Sequence, residues 1–304
     1  MSDPLVWLPF DPDLLGDPPA GLRYEVVDPT DHVPDSVAEV EFYVPPYQVG
    51  PRVGEVLPRM TGLKVVQTLT AGVDNVRALV PDGVTLCNGR GIHDASTAEL
   101  TLTLVLASLR GIPEFVRAQE RASWEPQWRP ALADRRVLLV GYGAVGEAIE
   151  ARLRPFEVEV VRVARTARDG VRPIEDLPEL LPDADVVILV VPLTDETRGL
   201  VDAGFLARMK DDALLVNVAR GGVVDSEALV EALRSGRIHA AVDVVDAEPM
   251  PADHPFWTAP NLLVSPHVGG ASSAMWPRAH RLVRDQLNRY AAGEALANVM
   301  SGEY

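Results

Sequence analysis

The chain has 304 residues, 47% hydrophobic and 24% charged, a composition typical of globular proteins with room for two ordinary domains. Acidic residues outnumber basic ones 44 to 28, and the formal net charge of −16 argues against general nucleic-acid binding, which needs a basic face. No apolar run approaches the ~18 residues that span a membrane, the opening MSDPLVWLPFDPDLLGDPP lacks a basic segment followed by an apolar one, and the single cysteine has no disulfide partner within the chain.

The expectation is a cytoplasmic protein with neither a membrane nor a nucleic-acid partner. Cys87, in the apolar run VTLCN, is read as a buried small hydrophobe. In chain order, LVWLPF, RYEVVD, VEFYVP, LKVVQTL and VTLCNG are candidate strands separated by Pro- and Gly-rich turns. A long, largely buried helix follows from Ser96 to Arg110, with Ser96 and Glu99 at capping-box spacing. From residue 135, six Val/Leu-rich runs recur: RRVLLVG, VEVVRVA, DVVILVV, ALLVNVA, HAAVDVV and NLLVSP. Near-continuous apolar runs indicate strands buried on both faces, as in a parallel sheet. Helical patterns lie between several of them, including DSEALVEALRSGR with Asp225 or Ser226 as N-cap. This alternation predicts an α/β protein built from doubly wound sheets. The last 35 residues read as a terminal helix that returns to the first domain. The predicted division is therefore 1–96 plus 272–304 for a discontinuous domain and 97–271 for a dinucleotide-binding domain.

Gly141, Gly143 and Gly146 in GYGAVG have G-x-G-x-x-G spacing between a strand and a helix, with Ala144 and Val145 between the last two. In that setting the glycines permit a tight turn and close approach of a pyrophosphate to the helix N-terminus. About 20 residues on, an NAD-binding unit carries an acid for the ribose 2′-hydroxyl. Here that position is Ala164, followed by Arg165, Thr166 and Arg168 within VVRVARTAR. An acid would repel a 2′-phosphate, whereas Arg165 and Arg168 can hold one by charge-assisted bonds. At about 1.5–3 kcal/mol each, two such bonds favour NADP(H) over NAD(H) by about 10²-fold or more, with NAD(H) still possible.

Three polar residues follow strand ends on the side where open α/β sheets bind ligands: Arg220 in NVARGG, Glu248 in DAEP and His267 in SPHVGG. Together, GYGAVG, VVPLTDETRGLV, NVARGGVVDSEAL, DVVDAEPMPADHPFW and SPHVGG resemble the D-isomer-specific 2-hydroxyacid dehydrogenases, above all the NADP-dependent glyoxylate and hydroxypyruvate reductases. The resemblance implies a Rossmann nucleotide-binding domain inserted into a flavodoxin-like substrate domain, and a homodimer joined through the arm containing RASWEPQW. It further implies that Arg220 pairs with the 2-oxoacid carboxylate, that His267 donates a proton to the keto oxygen, and that Glu248 orients His267 and raises its pKa above the usual ~6.5. TAGVDN matches the segment that cradles the substrate carboxylate, around Ala71 and Gly72. Thr97, Pro192, Thr197, Ala219, Asp243 and Gly269 match cofactor positions, with His267 among them. His93, His239, His254 and His280 carry no pattern, and no spacing suggests a metal site.

Two features depart from the family pattern. NGRGIHD replaces the usual Pro-Gly and Asn, so Arg90 and His93 bear on the hinge or pocket mouth, and Ala164–Arg165 marks the cofactor change. YVPPYQVGPR is read as lining the mouth, with Trp276 or Trp124 of the partner subunit closing the pocket around an uncharged substrate side chain. Two competing readings remain at this stage: a phosphite-type dehydrogenase on the same scaffold, and a non-enzymatic dinucleotide-sensing protein.

Overall fold

A computed structural model describes residues 3–29, 31–47 and 52–301. Its contacts divide the chain into two compact units, Met1–His93 with Ser273–Tyr304, and Asp94–Ser272. The first unit is therefore made from both chain ends, and the second is a continuous insertion.

In the first unit, strands β1 (Leu5–Leu8), β2 (Arg23–Val26), β3 (Val40–Tyr43), β4 (Val65–Gln67) and β5 (Thr85–Cys87) pair in parallel in the order β2-β1-β3-β4-β5. That is the doubly wound order of flavodoxin-like sheets. A short helix α1 spans Arg52–Val56. One sheet face packs Trp7, Tyr43, Leu57 and Val66, and the other packs Val6, Leu8, Phe42 and Cys87. The C-terminal helix α8 (Met275–Ala292) covers that second face with Met275, Ala279, Val283 and Leu287, each four residues from the next on one stripe. Burial pushes the Cys87 thiol up to about 11, which keeps it a protonated, inert hydrophobe.

The second unit begins with α2 (Asp94–Arg110) and α3 (Ile112–Glu120). Strands β6 (Arg136–Val140), β7 (Glu159–Ala164), β8 (Arg172–Pro173), β9 (Val186–Leu189), β10 (Leu214–Asn217), β11 (His239–Val242) and β12 (Leu262–Val264) follow, all parallel, in the order β12-β11-β10-β9-β6-β7-β8. Counted from β6, this is the 3-2-1-4-5-6 order of dinucleotide-binding sheets with one strand added. Helices α4 (Ala144–Leu153), α5 (Leu177–Leu180), α6 (Ala203–Arg208) and α7 (Ser226–Arg234) complete the unit. Ala98, Leu102, Val105 and Leu109 of α2 pack with Ile149 and Leu153 of α4 and with Leu139 and Ile188 of the sheet, which anchors α2 in this unit.

All eleven strands expected from the sequence form, and β8 is an addition. Helix α2 starts at Asp94, two residues before the expected Ser96, so Ser96 lies buried within the first turn. Glu99 reaches outward to Arg152 at 3.4 Å rather than folding back as a capping box. The N-cap reading holds at α7, where Asp225 accepts from Glu227 N and Ala228 N. Among the described residues no helix is long and apolar enough to cross a membrane, and no group of His, Cys, Asp and Glu could hold a metal.

Candidate active site

The glycine loop leaves β6 at Gly141, whose N–H donates to Val163 O of β7 at 2.8 Å. Gly141 has φ +102°, and a Cβ there would lie 2.6 Å from Val190 O, so the loop packs directly on the chain leaving β9. A Cβ on Gly146 would meet Gly141 O at 2.6 Å. Gly143 differs: it is the N-cap of α4, has no capping side chain, and faces open space. The first N–H groups of α4, around Ala144 and Val145, have no intrahelical acceptor by helix geometry, and with the helix dipole they suit a pyrophosphate. The residues present thus fit a dinucleotide.

Because β7 pairs with β6, Ala164 ends its strand beside this loop. Arg165, Thr166 and Arg168 follow it, all exposed. Arg162, the third arginine of VVRVARTAR, is taken elsewhere. Its Nε and Nη2 donate to the two oxygens of Glu150, a carboxylate whose side chain is 4% exposed. Those hydrogen bonds outweigh burial and carry the Glu150 pKa to about 2. Arg168 turns back to donate to Tyr142 O in the glycine loop.

Arg220, Glu248 and His267 follow the carboxyl ends of β10, β11 and β12, three strands adjacent in parallel register. Asn217 shapes the first turn by donating from Nδ2 to Arg220 O at 3.1 Å and accepting from Ala219 N at 3.0 Å. Gly221 then lets this turn press against the next: a Cβ there would fall 2.0 Å from the Val245 carbonyl. Glu248 Oε1 accepts from Val245 N at 3.2 Å, and Oε2 meets His267 Nδ1 at 2.5 Å. His267 has φ +51°, a left-handed conformation uncommon outside glycine, held by its own N–H donating to Asp243 O at 2.7 Å. The hydrogen bond and charge of Glu248 raise the His267 pKa above its ordinary value, against burial and the Arg220 charge. Burial acts to raise the Glu248 pKa, but His267, Val245 N and Arg220 together take it below the usual carboxylate range. The three side chains share one field in which His267 is favoured as a cation and Glu248 as an anion.

The chain matches the family model described as "D-isomer specific 2-hydroxyacid dehydrogenase, NAD binding domain" over residues 102–269. It is a member of the D-isomer specific 2-hydroxyacid dehydrogenase family. It is 33% identical to the D-3-phosphoglycerate dehydrogenase of Methanocaldococcus jannaschii over 81% of its length, spanning about half (49%) of that longer relative. It is 32% identical to the human glyoxylate reductase/hydroxypyruvate reductase over 78% of its length and 74% of the relative. Among solved structures, a D-isomer specific 2-hydroxyacid dehydrogenase of Xanthobacter autotrophicus Py2, in complex with NADPH and MES, is 32% identical, with a TM-score of 0.83 covering 99% of this chain and 98% of that one.

Within this family member, several residues expected at the cofactor also make bonds inside the protein. The Asp243 carboxylate, 3% exposed, accepts from Ser265 Oγ, Val268 N and Gly269 N at 2.6, 2.9 and 2.8 Å, so it fastens the His267 loop. Thr197 is turned inward: its hydroxyl donates to Pro192 O at 2.6 Å and accepts from Thr194 N at 2.9 Å, shaping the loop after β9 rather than presenting a donor outward. Pro192 is exposed on that loop, and Ala219 is buried under Arg220. Gly269 and Thr97 are neighbours, a Gly269 Cβ lying 3.5 Å from Thr97 Oγ1.

In the first unit, the carbonyls of Leu69, Thr70, Ala71 and Gly72 accept from His93 Nε2, Gly89 N, Asn88 Nδ2 and Thr70 Oγ1, at 2.7–2.9 Å. In trans peptides the N–H of the next residue points opposite to each carbonyl, so the N–H groups from Ala71 to Val73 face away from these braces. His93 is thus a brace for this turn, its ring tilted against Tyr47 with centroids 5.4 Å apart, whereas the Arg90 side chain is exposed. Tyr43 and Val44 are buried core and cannot line an opening; residues 48–51 of YVPPYQVGPR lie outside the described residues. Sequence reasoning missed Tyr142, Glu150 and Gly221; the only cue to the first two was an aromatic and an acid eight positions apart, on a loop and a helix whose register is set by tertiary packing.

Proposed function

We propose that this protein reduces a small 2-oxoacid, of the glyoxylate or hydroxypyruvate kind, to the D-2-hydroxyacid with NADPH. The observation that carries this reading is the 2.5 Å Glu248–His267 contact beside Arg220, at strand ends of a sheet whose glycine loop fits a dinucleotide. The nicotinamide supplies the hydride, which goes to the keto carbon. Arg220 binds the substrate carboxylate and polarises the keto oxygen with its fixed charge. Because His267 Nδ1 faces Glu248, the proton leaves from Nε2 to the keto oxygen, and Glu248 stabilises the cation before transfer. In the first unit, Ala71 and Gly72 lie in TAGVDN, the segment that by its resemblance to the family takes part in substrate binding. Unit 1 is accordingly the substrate-binding domain and unit 2 the dinucleotide-binding domain. Human and Xanthobacter relatives, named above, support the substrate class and the cofactor respectively.

Arg165 and Arg168, exposed beside the glycine loop with no acid at position 164, support selection of the 2′-phosphate. The test is kcat/KM for NADPH and NADH with glyoxylate and hydroxypyruvate, in wild type and in Arg165→Ala. The expected result is a preference for NADPH that the substitution lowers about tenfold or more by losing one charge-assisted contact. Equal use of both cofactors by the wild type would refute the phosphate site. A homodimer belongs to the same reading: Trp124 and Trp128 are 94% and 103% exposed on the segment after α3, as a partner-seeking arm would be. Light scattering that returned the mass of one chain would sink that part.

A further inference from the structure

Tyr142 occupies the first variable position of the glycine loop, between Gly141 and Gly143. Its hydroxyl donates to Glu150 Oε2, and Glu150 is the buried carboxylate that Arg162 grips with two N–H groups, one at 2.7 Å. The Arg162 guanidinium also lies 5.6 Å from the Tyr142 ring centroid. Arg168 lies at the same 5.6 Å and donates to the Tyr142 carbonyl. Two cations therefore lie at one ring, and only one of them is neutralised by an acid in this cluster. Arg162 cancels the charge that Glu150 would otherwise direct at the loop. Arg168 keeps its charge, and one contact to a carbonyl leaves most of its five N–H donors for a ligand.

We propose that Tyr142 is a positioning residue for recognition of the ribose 2′-phosphate: its ring and carbonyl hold Arg168 against the glycine loop, so the guanidinium meets the phosphate already ordered. This rests on the NADP(H) reading above. Arg168 is exposed, and an exposed arginine samples many rotamers whose freedom is lost on binding; stacking on an aromatic face removes part of that loss beforehand. The Glu150–Arg162 pair in turn fixes the ring, since Glu150 takes the hydroxyl and Arg162 covers the ring.

The test is calorimetric titration of the whole protein with adenosine 2′,5′-bisphosphate and with AMP, which differ only in the 2′-phosphate. Wild type is expected to bind the bisphosphate more tightly. Tyr142→Ala should cut that affinity about tenfold and leave AMP unchanged, whereas Tyr142→Phe, which keeps ring and carbonyl, should retain the preference. Adding Tyr142→Ala to Arg168→Ala should cost nothing more, because the tyrosine acts through the arginine. Equal weakening of both ligands by Tyr142→Ala, or additive losses in the double variant, would overturn the proposal and leave Tyr142 a packing residue. If Ala at 142 prevents folding, Arg168→Ala at its exposed position must by itself lower the bisphosphate affinity, and no change there overturns the proposal. A wild type that binds AMP and the bisphosphate equally refutes the NADP(H) reading itself, a distinct result that removes the proposal with it.

Discussion

His267→Asn is expected to lower kcat for 2-oxoacid reduction by about 10²–10⁴-fold, with a much smaller change in KM, because general acid catalysis is worth that much and the residue acts on the keto oxygen during transfer. The companion Glu248→Gln should show its effect through pH. His267 must be protonated to act in reduction, so the rate is full below its pKa and falls about tenfold per pH unit above it; oxidation of the hydroxyacid runs the opposite way. Glu248 raises that pKa, chiefly through the hydrogen bond to Nδ1, while Arg220 opposes it. With Gln at 248 the support goes and the Arg220 opposition stays, so the inflection should move down towards or below about 6.5. Rate profiles from pH 5 to 10 for both variants check this, and an unchanged inflection in Glu248→Gln contradicts it.

Gly221→Ala is expected to abolish most activity, about 10²-fold or more in kcat/KM, and to lower Tm. The added Cβ would sit 2.0 Å from the carbonyl carbon and oxygen of Val245 and 2.3 Å from Asp246 N, all backbone atoms of the chain that runs on to Glu248. Relief requires moving either the Arg220 turn or the Glu248 segment, and a displacement of about 1 Å in a catalytic group costs on the order of 10²-fold. Gly222→Ala is the control. Its Cβ would meet the end of the Arg198 side chain at 3.3 Å, which can swing aside into solvent, so activity should stay within a few-fold. Comparable losses in the two variants would mean that the close approach at Gly221 does not hold the catalytic turns in place.

The strands were legible because burial on both sheet faces writes itself into the chain as unbroken Val/Leu runs, such as VVILV in β9 and LLVNV in β10. Strand β8, only Arg172–Pro173, is too short to carry any period, and proline weakens the signal further. Arg220, Glu248 and His267 were legible from their places after strands, and the structure brings Glu248 and His267 into contact. What the sequence could not convey was the pairing of side chains. Arg162, Arg165 and Arg168 look alike in VVRVARTAR, yet Arg162 points into β7's sheet environment to meet Glu150 of α4, a partner set by how helix and strand register. Thr197 donates to Pro192 O within its own loop, whereas Asp243, after β11, accepts from Ser265 and Gly269 on the loop after β12, a pairing that no linear pattern displays. Capping failed at Ser96 because α2 begins two residues earlier, at Asp94, which places the serine inside the helix.

Reduction of a 2-oxoacid by NADPH is tested by product analysis with hydroxypyruvate and NADPH, following NADPH loss by absorbance and glycerate by chiral chromatography. One D-glycerate is expected per NADPH oxidised, with none from His267→Asn beyond its residual rate. L-glycerate, or NADPH stable in the presence of every 2-oxoacid tried, would contradict it.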